Sequence, residues 1–254
     1  MKGARPLEWL PTNTAPFVAI ALITISFLTS AISAAFGVGG GVAMLIALLS
    51  FAPPIVALPV HALVQIGSNA GRATMLHNHI MRGVVGWFVP GSLIGVVLAS
   101  QIIVGLPTQW LQSFLAAFIL WSIWAPRASG MVVPDVAYFG IGCVTSFATM
   151  FLGATGPLLA AFLSPDRYDR DRTVATHAAC MTLQHLFKVT AFGFLGFVLV
   201  EWLPLVAAMI ISGLAGTWLG QHLLRHLPES TFKKVFKGVL TILALRLLHS
   251  AIVG

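Results

Sequence analysis

The sequence predicts an all-α polytopic membrane protein built from two homologous halves, and three observations carry that prediction. Of its 254 residues 58% are hydrophobic and only 8% charged, whereas a soluble domain carries about 25% charged residues. Apolar runs of roughly 20 residues, the length a helix needs to cross a bilayer, recur along the whole chain. A barrel would instead show strands of ~10 residues alternating in polarity. Finally, Gly37-Val38-Gly39-Gly40-Gly41 is followed by His61 and Arg72, and Gly153-Ala154-Thr155-Gly156-Pro157 by His177 and Lys188 at the same two spacings. A helix-breaking glycine cluster paired twice with an intramembrane base marks an internal repeat. Repeat 1 covers about 15–126 and repeat 2 about 131–253 of a single transmembrane domain, 1–254.

Five hydrophobic segments are expected in each half. Residues 17–36 come first. Their small-residue end imitates a secretory signal, but the length of the run and its counterpart at 132–151 make it the first membrane helix. A short segment at 41–51, then 55–77, 84–104 and 108–125, complete the first half. The second half reads 132–151, a short 157–163, 172–198, 203–226 and 229–252. The total is about eight full spans and two short or broken helices. Trp87 and Trp202 both open a fourth segment, and Leu106-Pro107 and Leu227-Pro228 both precede a fifth. Trp9, Trp110, Trp121 and Trp124 fall near segment ends, as in an interfacial belt.

The fourth segments carry Gly91/Gly95 and Gly216/Gly220, a small-x-x-x-small pattern that lets helices approach closely. That seam suits packing within the subunit or between two copies, so a homodimer stays open. Arg82, with His77 and His79, marks the loop between the third and fourth segments of the first half as cytoplasmic. The matching loop of the second half holds only Glu201. Its positive charge lies instead at Arg167, Arg170 and Arg172 and at Arg225, Lys233, Lys234 and Lys237. Opposite placement is what inverted repeats with both termini outside predict, although Lys2 and Arg5 point the other way. The net charge of +7 is thus topogenic, and nucleic acid is not an expected partner.

The second segment of each half is too short to span, and it begins at a glycine cluster. Non-helical backbone at membrane depth is tolerated only where protein buries it or water reaches it. Two such interruptions at matching places point to a transporter binding site. Next to each lies a polar stripe. On the third segment of the first half His61, Gln65, Ser68, Asn69 and Arg72 fall within an arc of about 100°. In the second half His177, Gln184, His185 and Lys188 take the places of His61, Ser68, Asn69 and Arg72, and Met181 replaces Gln65.

These residues read as an anion site. The expected ligands are Gly37, Gly39, Gly40, Gly41, His61, Gln65, Asn69 and Arg72 from the first half. Gly153, Thr155, Gly156, His177, Gln184, His185 and Lys188 come from the second. Two cations, neutral donors and helix N-termini would all stabilise negative charge. The seven acids, Glu8, Asp135, Asp166, Asp169, Asp171, Glu201 and Glu229, all lie outside the middle of any span. That argues against a cation carrier and against carboxylate-based ion coupling.

Other readings stay open for single residues. Arg72 is near enough to its helix end to snorkel to lipid phosphates. His61 and His177 suit interhelical hydrogen bonding, and they also suit proton coupling, because histidine titrates near neutrality. His77-Asn78-His79 is either a metal ligand set or a solvated loop, and the solvated loop is expected. Cys143 and Cys180 form no C-x-x-C motif and read as packing residues. No G-x-S-x-G, H-E-x-x-H or intramembrane aspartate pair points to an enzyme, and no dinucleotide fingerprint or other cofactor motif accompanies the glycines.

Glycine-rich breaks after the first helix of each half, short following segments and polar residues on the next helix resemble the TauE/SafE sulfite exporter family. The resemblance covers residues 15–252. Gly37, Gly39, Gly40 and Gly41 match the first glycine-rich element, and Gly153, Gly156 and Pro157 the second. Where members often carry a proline after the first element, this chain reads Val42-Ala43-Met44-Leu45. Its basic, histidine-rich stripe is also heavier. The resemblance implies a bacterial inner-membrane carrier exporting sulfite or a small organosulfonate such as sulfoacetate. Runner-up readings are uptake of another small anion, such as thiosulfate or a carboxylate, and a non-transport accessory role. A dianion leaving through a 100 mV inside-negative potential gains about 4.6 kcal/mol, twice the ~2.3 kcal/mol per charge.

Overall fold

The computed structural model describes Pro11 and residues 15–36, 39–103, 105–124, 133–163, 168–198 and 200–222. It also describes Gly238, Thr241, Ile242, Ala244, Leu245, Arg246, Leu248 and His249. Among these residues there are helices and no strands. The first half runs α1 (Pro16–Phe36), α2 (Gly40–Leu49), α3 (Pro54–Met75), α4 (Arg82–Ile103) and α5 (Thr108–Trp124). The second half runs α6 (Ala137–Leu152), α7 (Gly156–Phe162), α8 (Arg170–Phe194) and α9 (Leu203–His222). Each falls on an expected segment. Gly37, and most of the expected last segment at 229–252, lie outside the described residues.

Local chemistry explains the element ends. Pro54 opens α3, where its missing N–H costs no helical bond. Asp169 caps α8, its carboxylate accepting the Arg172 backbone N–H at 2.8 Å. The breaks before α2 and after α6 fall at Gly39 (φ 108°) and Gly153 (φ 77°), backbone conformations that favour glycine. His77 and His79 sit on an exposed 3₁₀ turn, where the His77 Nδ1–H donates to the Thr74 carbonyl at 3.0 Å.

The outer surface carries large apolar side chains, and a polar cluster is buried within the apolar interior. Ile94, Val97 and Leu98 of α4, Ile20 and Leu28 of α1, and Ile211 and Trp218 of α9 are all exposed. Ser26, Ser30, Asn69, Arg72, Gln184, His185 and Lys188 are buried. A water-soluble domain has the opposite distribution. Residues Pro16–Ala34, Arg82–Ile103 and Val200–Gly220 are each long and apolar enough to cross a membrane. The expected eight full spans are not all of this kind. With 22 and 25 residues, α3 and α8 are long enough, but their polar stripes lower their hydropathy. The remaining two longer helices, α5 and α6, have 17 and 16 residues. The chain is a multi-pass membrane protein whose central helices are its most polar.

The halves interlock. Helix α4 packs on α6 and α9 on α1, so each half's fourth segment lies along the other half's first, while α3 and α8 meet in the centre. The glycine pairs make these seams. A Cβ at Gly91 or Gly95 would run into the backbone of Phe139 and Cys143, and one at Gly216 or Gly220 into that of Phe27 and Ala31. Both glycine seams are therefore filled within the chain, not by a second copy. Hydroxyls bridge the same seams. Ser92 and Ser146 share a hydrogen bond of 2.7 Å, Ser26 donates to the Met209 carbonyl at 2.7 Å, and Ser212 donates to the Ile23 carbonyl at 2.9 Å.

Replacing Gly95 by valine would overpack the α4–α6 seam and should cost about 1–3 kcal/mol of stability. Gly140→Val, where nothing lies within 4 Å of the new Cβ, should leave thermal unfolding in detergent unchanged. Equal melting temperatures for the two variants would contradict the seam.

Candidate functional site

Backbone at a helix break inside a bundle must be held by protein, because lipid cannot serve it. Side chains of α3 and α8 bond the backbone at both breaks. The His61 Nε2–H donates to the Gly41 carbonyl at 2.9 Å, and the His177 Nε2–H donates to the Gly156 carbonyl at 3.0 Å. A carbonyl only accepts, so in the neutral ring this bond leaves Nδ1 as a lone pair. Each histidine thus ties the first turn of a short helix, α2 or α7, to the long helix that follows it.

Lys188 performs a related task. Its Nζ donates to the Thr149 carbonyl at 2.8 Å and reaches the Gly153 carbonyl at 3.5 Å. Thr149 Oγ1 donates to that same Gly153 carbonyl at 3.1 Å. The ammonium, 0% exposed, therefore sits at the negative end of the α6 dipole and fixes the break at Gly153.

Between the breaks lies a cavity of about 30 Å³. Ser33, Gly39, Gly41, Gln65, Asn69 and Arg72 form its first-half wall, with Val42 beside them. The second half contributes Ala154, Gly156, Pro157, His177, Met181 and His185. Arg72, 4% exposed, turns inward. Its Nη2 donates to Asn69 Oδ1 at 2.7 Å and its Nε to the Ser68 carbonyl at 3.4 Å. Snorkelling to lipid phosphates is thereby excluded. Asn69 in turn donates from Nδ2 to the Gln65 carbonyl at 2.8 Å, which sets its amide so that Oδ1 faces the guanidinium. Two of the five guanidinium donors are engaged, leaving three for a ligand. Gln65 presses against Gly41 so closely that a Cβ there would collide with its amide nitrogen.

The wall holds eight of the residues singled out in the sequence: Gly39, Gly41, Gln65, Asn69, Arg72, Gly156, His177 and His185. The other described ones stand behind it. Gly40 packs on the Thr29 carbonyl of α1. Gln184 donates to Thr155 Oγ1 at 2.7 Å and accepts from Thr145 Oγ1 at 3.4 Å. His61, Gly153 and Lys188 hold the breaks. Ser33 was not anticipated, although Ser26, Thr29, Ser30 and Ser33 recur at i, i+3, i+4 and i+7 and so mark one polar face of α1. Pro157 lacks an N–H, so the second break offers a ligand fewer donors than the first. Among the described residues no carboxylate reaches the wall. Asp135, Asp169, Asp171 and Glu201 all lie at helix starts or in the turns before them.

A positively charged, carboxylate-free cavity between two broken helices suits an anion. The family model for the sulfite exporter TauE/SafE matches residues 22–247. The chain belongs to the TauE/SafE family. No curated protein and no solved structure matches it. The TauE/SafE match spans every residue of the cavity wall, both breaks and both polar helices, so the site lies within the family's common region and the chain is a membrane transporter of that family.

Because Lys188 bonds the end of α6, Lys188→Ala should lower stability by about 1.5–3 kcal/mol, the range for hydrogen bonds to a charged group. Thermal unfolding of the purified protein reads this. An unchanged melting temperature would free Lys188 from the structural role.

Proposed function

We propose that this TauE/SafE protein exports a small sulfur oxyanion, sulfite or an organosulfonate such as sulfoacetate, across the bacterial inner membrane. One observation carries the reading: an inward-turned Arg72, pinned by Asn69 and Ser68, in a cavity without a carboxylate wall residue among the described ones. Sulfur oxyanions present several acceptor oxygens, which match guanidinium, amide and hydroxyl donors. Arg72 would supply charge, and Gln65, Asn69, Ser33 and the amides near Gly39 and Gly41 neutral donors. Lys188 supports the wall from behind.

Alternating access would arise by rocking one half against the other about the α3–α8 contact, with inverted repeats and both termini on the periplasmic side. The paired histidine–glycine contacts support that reading. They let each break move with its own third helix as one body.

Charge movement on a solid-supported membrane tests the proposal, with sulfite, sulfoacetate, sulfolactate, thiosulfate, sulfate, phosphate and lactate as the panel. Currents should be selective for sulfite and organosulfonates. In Arg72→Gln the apparent affinity should fall about 10- to 100-fold, the equivalent of one lost charged hydrogen bond. Selectivity for phosphate or lactate would overturn the substrate class. Silence to every anion, joined by absence of binding, would overturn the carrier.

A further inference from the structure

One wall residue has no partner. His185 is 0% exposed and lines the cavity with Arg72, yet neither ring nitrogen makes a hydrogen bond. Its ring meets that of His61 edge-on, with centroids 5.6 Å apart and planes at 78°. His61 Nδ1, left as a lone pair by the bond to Gly41, is also without a partner. Three unpartnered ring nitrogens therefore gather in one buried cluster, where each is costly to leave unpaired. His177, by contrast, has its Nε2 committed to Gly156.

Among the described residues, no carboxylate lies beside His185. Helices α3, α4, α6 and α7 and the 3₁₀ turn His77–His79 pack against α8. From α3 come His61 and Arg72, from the turn His77 and His79, and from α8 itself His177 and Lys188, while Arg170, Asp171 and Arg172 stand exposed in its first turn. Neither α6 nor α7 carries a carboxylate or a cation, and α4 carries only Arg82, its first residue. Helix α2, also on the wall, carries none. Among the described residues, no carboxylate would balance a proton on His185. A bound oxyanion supplies that balance.

We propose that His185 is the proton carrier of this transporter, so that oxyanion and proton cross together. This rests on the oxyanion-carrier reading. A proton from bulk water forms a bond to one ring nitrogen as the anion settles beside Arg72, and the same N–H bond breaks when both leave on the other side. The arrangement suits the task because neither nitrogen is held by the protein. One can keep its hydrogen while the other gains and loses one. A dianion then moves with one net negative charge, and an inside-negative potential still drives it outward.

The test uses the full chain in vesicles with an entrapped pH-sensitive dye and radiolabelled sulfite, and protein-free vesicles correct for leak. In the wild type, net sulfite flux should carry protons with it. His185→Gln should keep sulfite-for-sulfite exchange while net flux loses its proton movement. His185→Asn should show the same split, which separates proton carriage from side-chain volume. Wild-type proton movement in His185→Gln overturns the proposal. So does loss of exchange in both variants, which makes the ring a ligand or a structural part. Net wild-type sulfite flux without any proton movement overturns it whatever the variants do. Failure of the wild type to move or bind any sulfite is a different result: it removes the carrier reading itself.

Discussion

The constraint on which everything else depends is that backbone at a helix break inside a membrane protein must be held by protein, because lipid cannot serve it. Three basic residues hold it: His61 at Gly41, His177 at Gly156, and Lys188 at Thr149 and Gly153. Their positions on α3 and α8 bring those two helices to the centre of the bundle. That in turn places the breaks on either side of one cavity, and it explains why the most polar helices are also the most central. Function is then possible because part of the polar stripe is left over once the backbone has been served.

What is left over differs between the halves. Arg72 stands where the second half has Lys188, Asn69 where it has His185, Gln65 where it has Met181, and Gly41 where it has Pro157. The shared elements, the histidines and the glycine breaks, are those that hold backbone. The divergent ones are nearly all on the cavity wall. The first half's wall is thus rich in donors and the second half's in imidazole.

Much of this was legible in the sequence because membrane constraints are local. Apolar run length marks helices, glycine clusters mark breaks, and a polar stripe on an apolar helix has nowhere to go but inward, which is where Gln65, Asn69, Arg72, His177 and His185 are found. The role of Lys188 was not legible. Its spacing equals that of Arg72, but its partners lie at the end of another helix, which no local pattern reveals. The seams were legible as glycine pairs, yet whether Gly91 and Gly95 would meet α6 or a second molecule depended on how the halves interlock. Ser33 shows the opposite case, since the i, i+3, i+4, i+7 run of hydroxyls on α1 was present but is quieter than a charge.

The central claim is that the space between the two breaks holds one oxyanion. Equilibrium binding of radiolabelled sulfite to the purified protein, without any transport, tests it most directly. Saturable binding of one ion per chain, displaced by sulfoacetate and indifferent to lactate, is the predicted result. Binding that does not saturate, or that takes up several ions per chain as a basic surface would, contradicts it.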